Sequence, residues 1–113
     1  MNKLNTHFQL YINGEWRSGS ADQIMYSQNP HNNQIWASFD CANKIDIDFA
    51  VKSAKDALND QSWKSMTATD RGKLLNKLAD LIEANAENIG KVESQDSGKL
   101  LTETVSQTKY VSE

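Results

Sequence analysis

Residues 66–99 read MTATDRGKLLNKLADLIEANAENIGKVESQDSGK, and their periodicity decides the fold. Thr67 stands three residues before Asp70, a helix N-cap followed by an acid at N3 in the manner of a capping box. Leu74, Leu75, Leu78, Leu81, Ile82 and Ile89 then recur at the spacing of one helical face, while Lys73, Asn76, Lys77, Asp80 and Glu83 occupy the others. A helix over 67–84 is predicted, with a second over 86–97 that stops at Gly98, a residue suited to the left-handed position after a helix end. Ile89 and Val92 mark the expected inner face of that second helix, and Asp96 is the next position on it. A carboxylate there would face the core, where charge is costly, and would also stand beside the negative end of the helix dipole. Something positive should compensate it.

Towards the N-terminus the pattern changes from helical to alternating. Phe8, Leu10 and Ile12 share one face of an expected strand, Asn13-Gly14 is a strong hairpin signal, and Glu15-Trp16-Arg17 reads as the returning strand. A strand over 23–28 ends at Asn29-Pro30, His31-Asn32-Asn33 makes the next turn, and residues 34–39 alternate again with Ile35, Ala37 and Phe39 on one face. Residues 1–7 read as a frayed end and residues 8–39 as two hairpins. Asn43, with Asp46 at N3, opens a helix over 43–58 whose expected buried face is Ile47, Ala50, Val51, Ala54, Ala57 and Leu58. Residues 59–65 read as a loop holding Trp63, and a last helix is expected over 100–113. The fold class is therefore α/β, with N-terminal β-hairpins followed by three to four helices.

Composition limits the function. The chain has 113 residues, 24% charged and 38% hydrophobic, which is too apolar for disorder and suits one small domain or part of a larger one. A formal net charge of -3 gives no basic footprint, so nucleic acid is not an expected partner. No apolar run reaches a membrane-spanning length, and no signal-peptide core opens the chain. One cysteine fits a reducing, cytoplasmic setting.

Few residues offer chemistry. Cys41 has Phe39, Asp40 and Ala42 as neighbours, none of them a base that would activate a thiol, and reads as structural. His7 and His31 are too far apart in sequence to suggest a metal pair, and the five glycines never approach the spacing of a phosphate-binding loop. Asp96 is the suggestive residue. It either makes an ion pair with Lys99 or Arg71 or a cap to nearby backbone, or it holds a cation together with carbonyl oxygens from the helix end and a neighbouring strand.

Five segments in order carry a resemblance: Tyr11-Ile12-Asn13-Gly14-Glu15-Trp16, Asn29-Pro30, Asp46-Ile47-Asp48-Phe49-Ala50-Val51, Asp70-Arg71-Gly72-Lys73-Leu74-Leu75 and Glu93-Ser94-Gln95-Asp96-Ser97-Gly98-Lys99. Together they resemble the N-terminal segment of the NAD(P)-dependent aldehyde dehydrogenase superfamily, in particular betaine aldehyde dehydrogenases. Two positions depart from the pattern: Asn33 stands where Gly is usual in the turn after Asn-Pro, and Gln95 where an apolar residue is usual.

The resemblance implies an incomplete domain, residues 8–113 being the N-terminal part of the coenzyme-binding domain. It implies oxidation of an aldehyde to a carboxylic acid through a thiohemiacetal on a catalytic Cys, with hydride transfer to NAD(P)+ and a Glu as general base. Those groups, the coenzyme loops and the oxyanion Asn lie beyond this sequence, so the segment alone is expected neither to bind NAD(P)+ nor to catalyse. The remainder of the dehydrogenase chain is the expected partner, and the intact protein is expected to be a homo-oligomer. One family site falls inside the segment: a K+ or Na+ ion held by the Asp96 carboxylate with the backbone carbonyls of Ser27 and Gln28. A reading of another class is a standalone interaction module that binds a full-length dehydrogenase or another protein.

Overall fold

The computed structural model describes residues 6–112. Five strands come first, β1 (Thr6–Phe8), β2 (Leu10–Ile12), β3 (Glu15–Arg17), β4 (Ile24–Asn29) and β5 (Gln34–Asp40). Five helices follow, α1 (Lys44–Asn59), α2 (Gln61–Lys64), α3 (Ala68–Ala84), α4 (Ala86–Ser97) and α5 (Leu101–Val111). This is the α/β order, strands then helices, expected from the change of period along the chain. The chain divides into two compact units: residues up to Gln28 with Ile35–Ser65, and Asn29–Gln34 with the residues from Met66 onward.

In the first unit, β2 and β3 pair antiparallel with Leu10 opposite Arg17, Tyr11 opposite Trp16 and Ile12 opposite Glu15. Asn13 and Gly14 both have positive φ, 57° and 79°, as a two-residue hairpin turn requires. A separate three-stranded sheet has the order β1-β5-β4, with β1 parallel to β5. The single strand expected over 8–12 is thus two strands, because the chain leaves one sheet for the other at Gln9, whose side-chain amide donates to Ser18 Oγ at 3.1 Å.

Strand β1 also corrects the reading of residues 1–7 as frayed. Thr6 and His7 are paired opposite Ala37 and Ser38, and residues 1–5 lie outside the described residues. His7 Nδ1 is 2.9 Å from Ser38 Oγ, and its Nε2 is 3.2 Å from the Asp40 carboxylate, so the side chain ties the strand across the ladder. In β5 the buried residues are the neighbours Ala37 and Ser38, whereas Ile35 and Phe39 are exposed. The expected alternation fails there because β5 is the central strand and is covered on both faces at one point only.

Helix α1 starts with a complete capping box. The Asn43 side chain accepts from the Ile45 and Asp46 N–H groups, and the Asp46 carboxylate accepts the Asn43 N–H. Asp46 is buried, with 1% of its surface exposed, and also accepts the Ser20 N–H at 2.9 Å and the Ser20 O–H at 2.7 Å. One carboxylate therefore caps the helix and holds down the loop after β3. That loop is pressed so close to β5 that a Cβ on Gly19 would stand 2.2 Å from the Cys41 carbonyl oxygen.

The face of α1 expected to be buried is not. Ile47, Val51 and Leu58 are 54%, 63% and 62% exposed, and Ala50 alone of the named set is partly covered. The side towards the strands is Asp46, Phe49, Ala50 and Ser53, with the Arg17 guanidinium 4.7 Å above the Phe49 ring. The stretch expected as a loop holding Trp63 contains the short helix α2, capped by Asp60.

In the second unit, Thr67 Oγ1 accepts the Asp70 N–H at 3.1 Å and its O–H donates to the Asp70 carboxylate at 2.6 Å, which starts α3. Helix α4 follows after the single residue Asn85 and ends at Gly98, φ 76°. Helix α5 packs against α4 through small groups. Ala86, Gly90 and Thr104 are buried, and the Thr104 hydroxyl donates to the Gly90 carbonyl at 2.8 Å. A Cβ on Gly90 would meet Val105 N at 2.8 Å and Cα at 2.9 Å, so glycine is what permits this approach.

Candidate functional site

Asp96 sits in the last turn of α4, and its side chain is exposed. The expectation that it faces the core is corrected by the packing of α4. The large residues Ile89 and Val92 are 42% and 48% exposed, while the small ones, Ala86 and Gly90 with partly covered Ser94, form the side towards α5. Close backbone approach, not side-chain size, selects the inner face, so Asp96 continues an outer stripe. Gln95, which stands where an apolar residue is usual, is exposed as well.

The end of α4 is built from local hydrogen bonds. Gly98 N–H donates to the Ser94 carbonyl at 3.0 Å, the Ser97 O–H to the Glu93 carbonyl at 2.6 Å, and the Ser94 O–H to the Lys99 carbonyl at 2.7 Å. Lys99 Nζ donates to Glu93 Oε1 at 2.7 Å. Of the two cations named for Asp96, Lys99 and Arg71, Lys99 is thus paired one turn earlier. Pro30 lies against this end: a Cβ on Gly98 would stand 3.3 Å from Pro30 Cβ and Cγ.

The turn that carries Pro30 is held by its asparagines. Asn29 Oδ1 accepts the His31 N–H at 2.9 Å, Asn32 Oδ1 accepts the Gln34 N–H at 3.0 Å, and Asn33 takes φ 57°. Asparagine therefore adopts the left-handed conformation for which glycine is usual. Ser27 and Gln28 precede the turn in β4 of the first unit, Ser27 partly covered and Gln28 exposed, whereas Asp96 belongs to the second.

Among the described residues, no group of three or more His, Cys, Asp or Glu is placed to hold a metal ion. Cys41 is a free, partly covered thiol whose backbone N–H donates to the Gln23 carbonyl at 2.9 Å. His7, read as part of a frayed end, has its side chain 40% exposed yet bridges to Ser38 and Asp40, and His31 is in the exposed turn. The sequence reading also missed the Asp46–Ser20 link and the Gly90–Thr104 contact. The second had a signal, small residues at 86, 90 and 94 spaced one turn apart; the first had none, because Ser20 and Asp46 are 26 residues apart. No described helix is long and apolar enough to cross a membrane.

Comparison with known proteins agrees with the resemblance. The profile of the aldehyde dehydrogenase family matches residues 16–113. A dehydrogenase of Acinetobacter baylyi, acting on (Z)-2-((N-methylformamido)methylene)-5-hydroxybutyrolactone, is 45% identical over 106 residues, 94% of this chain and 21% of that protein. The mitochondrial aldehyde dehydrogenase of Equus caballus is 38% identical over 92 residues, 80% of this chain and 18% of its own. Among solved structures, an NAD-dependent aldehyde dehydrogenase of Sinorhizobium meliloti superposes with TM-score 0.90 at 22% identity, covering 96% of this chain and 22% of that one, which speaks for the fold. A point mutant of the betaine aldehyde dehydrogenase of Staphylococcus aureus, in complex with NAD+, superposes with TM-score 0.87 at 28% identity, over 92% of this chain and 21% of that one. The chain spans about a fifth of the length of the relatives it matches. With five ordered motifs, a family profile over residues 16–113 and the same succession of strands and helices, the chain belongs to the aldehyde dehydrogenase family.

Proposed function

We propose that these residues are the N-terminal part of an NAD(P)+-dependent aldehyde dehydrogenase and that they supply structure, not chemistry, to aldehyde oxidation. The observation that carries this reading is the match over 94% of this chain to only 21% of a dehydrogenase 45% identical to it. Oxidation of an aldehyde to an acid needs a nucleophile for the carbonyl carbon, an acceptor for the departing hydride, and a base to bring water to the resulting acyl group. The lone cysteine, Cys41, is a free, partly covered thiol just after β5. The nucleophile, the base and the coenzyme loops are therefore assigned to the other four fifths of the protein, and the isolated chain is inactive.

A chimera tests this. This chain replaces the corresponding fifth of the Acinetobacter relative, and reduced nicotinamide is followed spectroscopically after adding an aldehyde that relative oxidises. Activity of the chimera with none from the isolated chain supports the reading. A folded but inactive chimera, or oxidation by the isolated chain, overturns it.

We further propose that in the complete protein the Asp96 carboxylate and the carbonyls of Ser27 and Gln28 bind K+ or Na+. The packing of Pro30 against Gly98 favours it, since Ser27 and Gln28 lead directly into that turn. Carboxylate and carbonyl oxygens are the donors a hard cation takes. The chimera should then melt at a higher temperature in K+ or Na+ than in choline chloride of equal ionic strength, and Asp96→Asn should abolish the difference. Equal melting temperatures in all three salts would remove the site.

A further inference from the structure

Asn13 and Gly14 form the tip of the β2–β3 hairpin, both exposed, with φ 57° and 79°. Asn13 is the one asparagine of the sequence that glycine follows. That pairing has a chemistry of its own. The backbone nitrogen after an asparagine can attack its side-chain amide carbon, and glycine puts no Cβ in the way. Nothing stands within 4 Å of the place a Cβ on Gly14 would occupy, so no packed neighbour blocks the approach. The closed turn, however, keeps the reacting atoms apart. Two positive φ values in a two-residue hairpin loop are those of a type I′ turn, whose first central residue has ψ of about +30°. That angle sets the Gly14 nitrogen roughly opposite Asn13 Cβ across the Cα–C bond, whereas ring closure needs the two nearly eclipsed.

We propose that Asn13 is a self-modification site whose conversion is gated by opening of this hairpin. In the opened segment the Gly14 nitrogen bonds to Asn13 Cγ, its proton passes to the departing nitrogen, and ammonia leaves a five-membered succinimide behind. Water then breaks one of the two ring bonds to nitrogen. Cleavage at Cγ gives aspartate, and cleavage at the backbone carbonyl gives isoaspartate. The gate is slight, since each strand has three residues and a hairpin of two strands alone is marginal in water. Its ties include the Tyr11 and Trp16 rings, centroids 4.9 Å apart, and the Gln9 amide on Ser18 Oγ at 3.1 Å, all in exposed residues. Isoaspartate adds one methylene to the backbone at the tip, so Leu10, Tyr11 and Ile12 no longer come opposite Arg17, Trp16 and Glu15. Either product also adds a carboxylate to the open groove that Asn13 lines with Asp56 and Asp60, where like charges oppose closure. Conversion therefore keeps open the hairpin that must open for it.

The test uses the chimera, held for days in mildly alkaline buffer, with the peptide spanning Asn13 followed by mass spectrometry. The amide-to-acid mass gain should appear there at least about tenfold faster than at asparagines followed by a larger residue, because Gly14 alone lacks a Cβ. Isoaspartate is read separately, as methyl acceptance from an isoaspartyl carboxyl methyltransferase. In denaturant, where the gate is gone, conversion should be faster still. Gly14→Ala should abolish the excess over the other asparagines there, where turn strain plays no part. Tyr11→Ala should speed conversion in the folded chimera by about threefold or more, the factor expected of one aromatic pair. An unchanged melting temperature separates hairpin opening from global unfolding, and Gln9→Ala, which removes the tie to Ser18, should move the rate the same way.

An Asn13 that stays unchanged in the folded chimera while it converts in denaturant shows a hairpin that remains shut, and overturns the proposal. Equal rates in the folded and denatured chimera overturn the gate, as does a rate that neither Tyr11→Ala nor Gln9→Ala moves. The readouts are mass and methyl acceptance, so none of these outcomes depends on aldehyde oxidation. A folded, inactive chimera that still converts at Asn13 refutes the enzyme reading and supports this one.

Discussion

Gly90 and Asp46 each hold two elements together with almost no side chain exposed. Replacing Gly90 with Ala adds a methyl group 2.8 Å from a backbone nitrogen, which cannot rotate away as a flexible side chain could. Alanine gains about 1 kcal/mol in helix propensity, but overpacking costs roughly 1–3 kcal/mol, and a main-chain clash belongs at the upper end. Gly90→Ala should therefore lower the melting temperature of the chimera, and Gly72→Ala, in open space on α3, should not.

Asp46 has its carboxyl held below the usual carboxylate range, first by the Asn43 N–H, then by the Ser20 O–H and N–H, with a smaller contribution from the Arg17 charge. Its pKa is depressed by folding, so its contribution is present above the ordinary carboxylate pKa and lost as pH falls through the depressed value. Stability should decline on acidification below that range, and Asp46→Asn should flatten the decline while lowering stability at neutral pH. Thermal melts across acid pH check both. Removing Asp48 or Asp56, whose lysine pairs lie in solvent, should change little by comparison.

At the scale of elements, local chemistry sets the ends and packing sets the faces. Thr67 caps α3 through Asp70, so Thr67→Ala should cost about 1 kcal/mol, measured by denaturant unfolding of the chimera. Gly98 ends α4 at φ 76° with Pro30 beside it. Gly98→Ala should cost about 1–2 kcal/mol for the left-handed conformation, and the contact with Pro30 adds to it. These caps and turns were legible because each depends on residues within four positions of one another: Asn43 with Asp46, Thr67 with Asp70, Asn13 with Gly14. The faces were not. In α1 the aliphatic Ile47, Val51 and Leu58 and in α4 Ile89 and Val92 look outward, and the inner sides are made by Asp46, Phe49 and Ala50, and by Ala86 and Gly90.

For the whole molecule, buried hydrophobic residues among those described are Ala37 and Ala86. Two alanines supply little of the apolar burial that must offset chain entropy. The isolated chain should bind a dye such as ANS, give a weak near-UV signal and unfold without a sharp transition. A cooperative melt from a monodisperse sample would show instead that the short chain stands on its own.

The sequence by itself determined that strands precede helices, the caps at Asn43 and Thr67, the turns at Asn13-Gly14 and Asn33, and the family, because each is encoded in neighbouring residues. Tertiary structure alone decided that β1 joins β5, that Ser20 shares the buried Asp46, that α4 turns its small side inward, and that Asp96 lies exposed. Those outcomes depend on which surfaces meet across long separations in the chain, and hydrophobic periodicity marks the residues that want cover without saying which partner provides it.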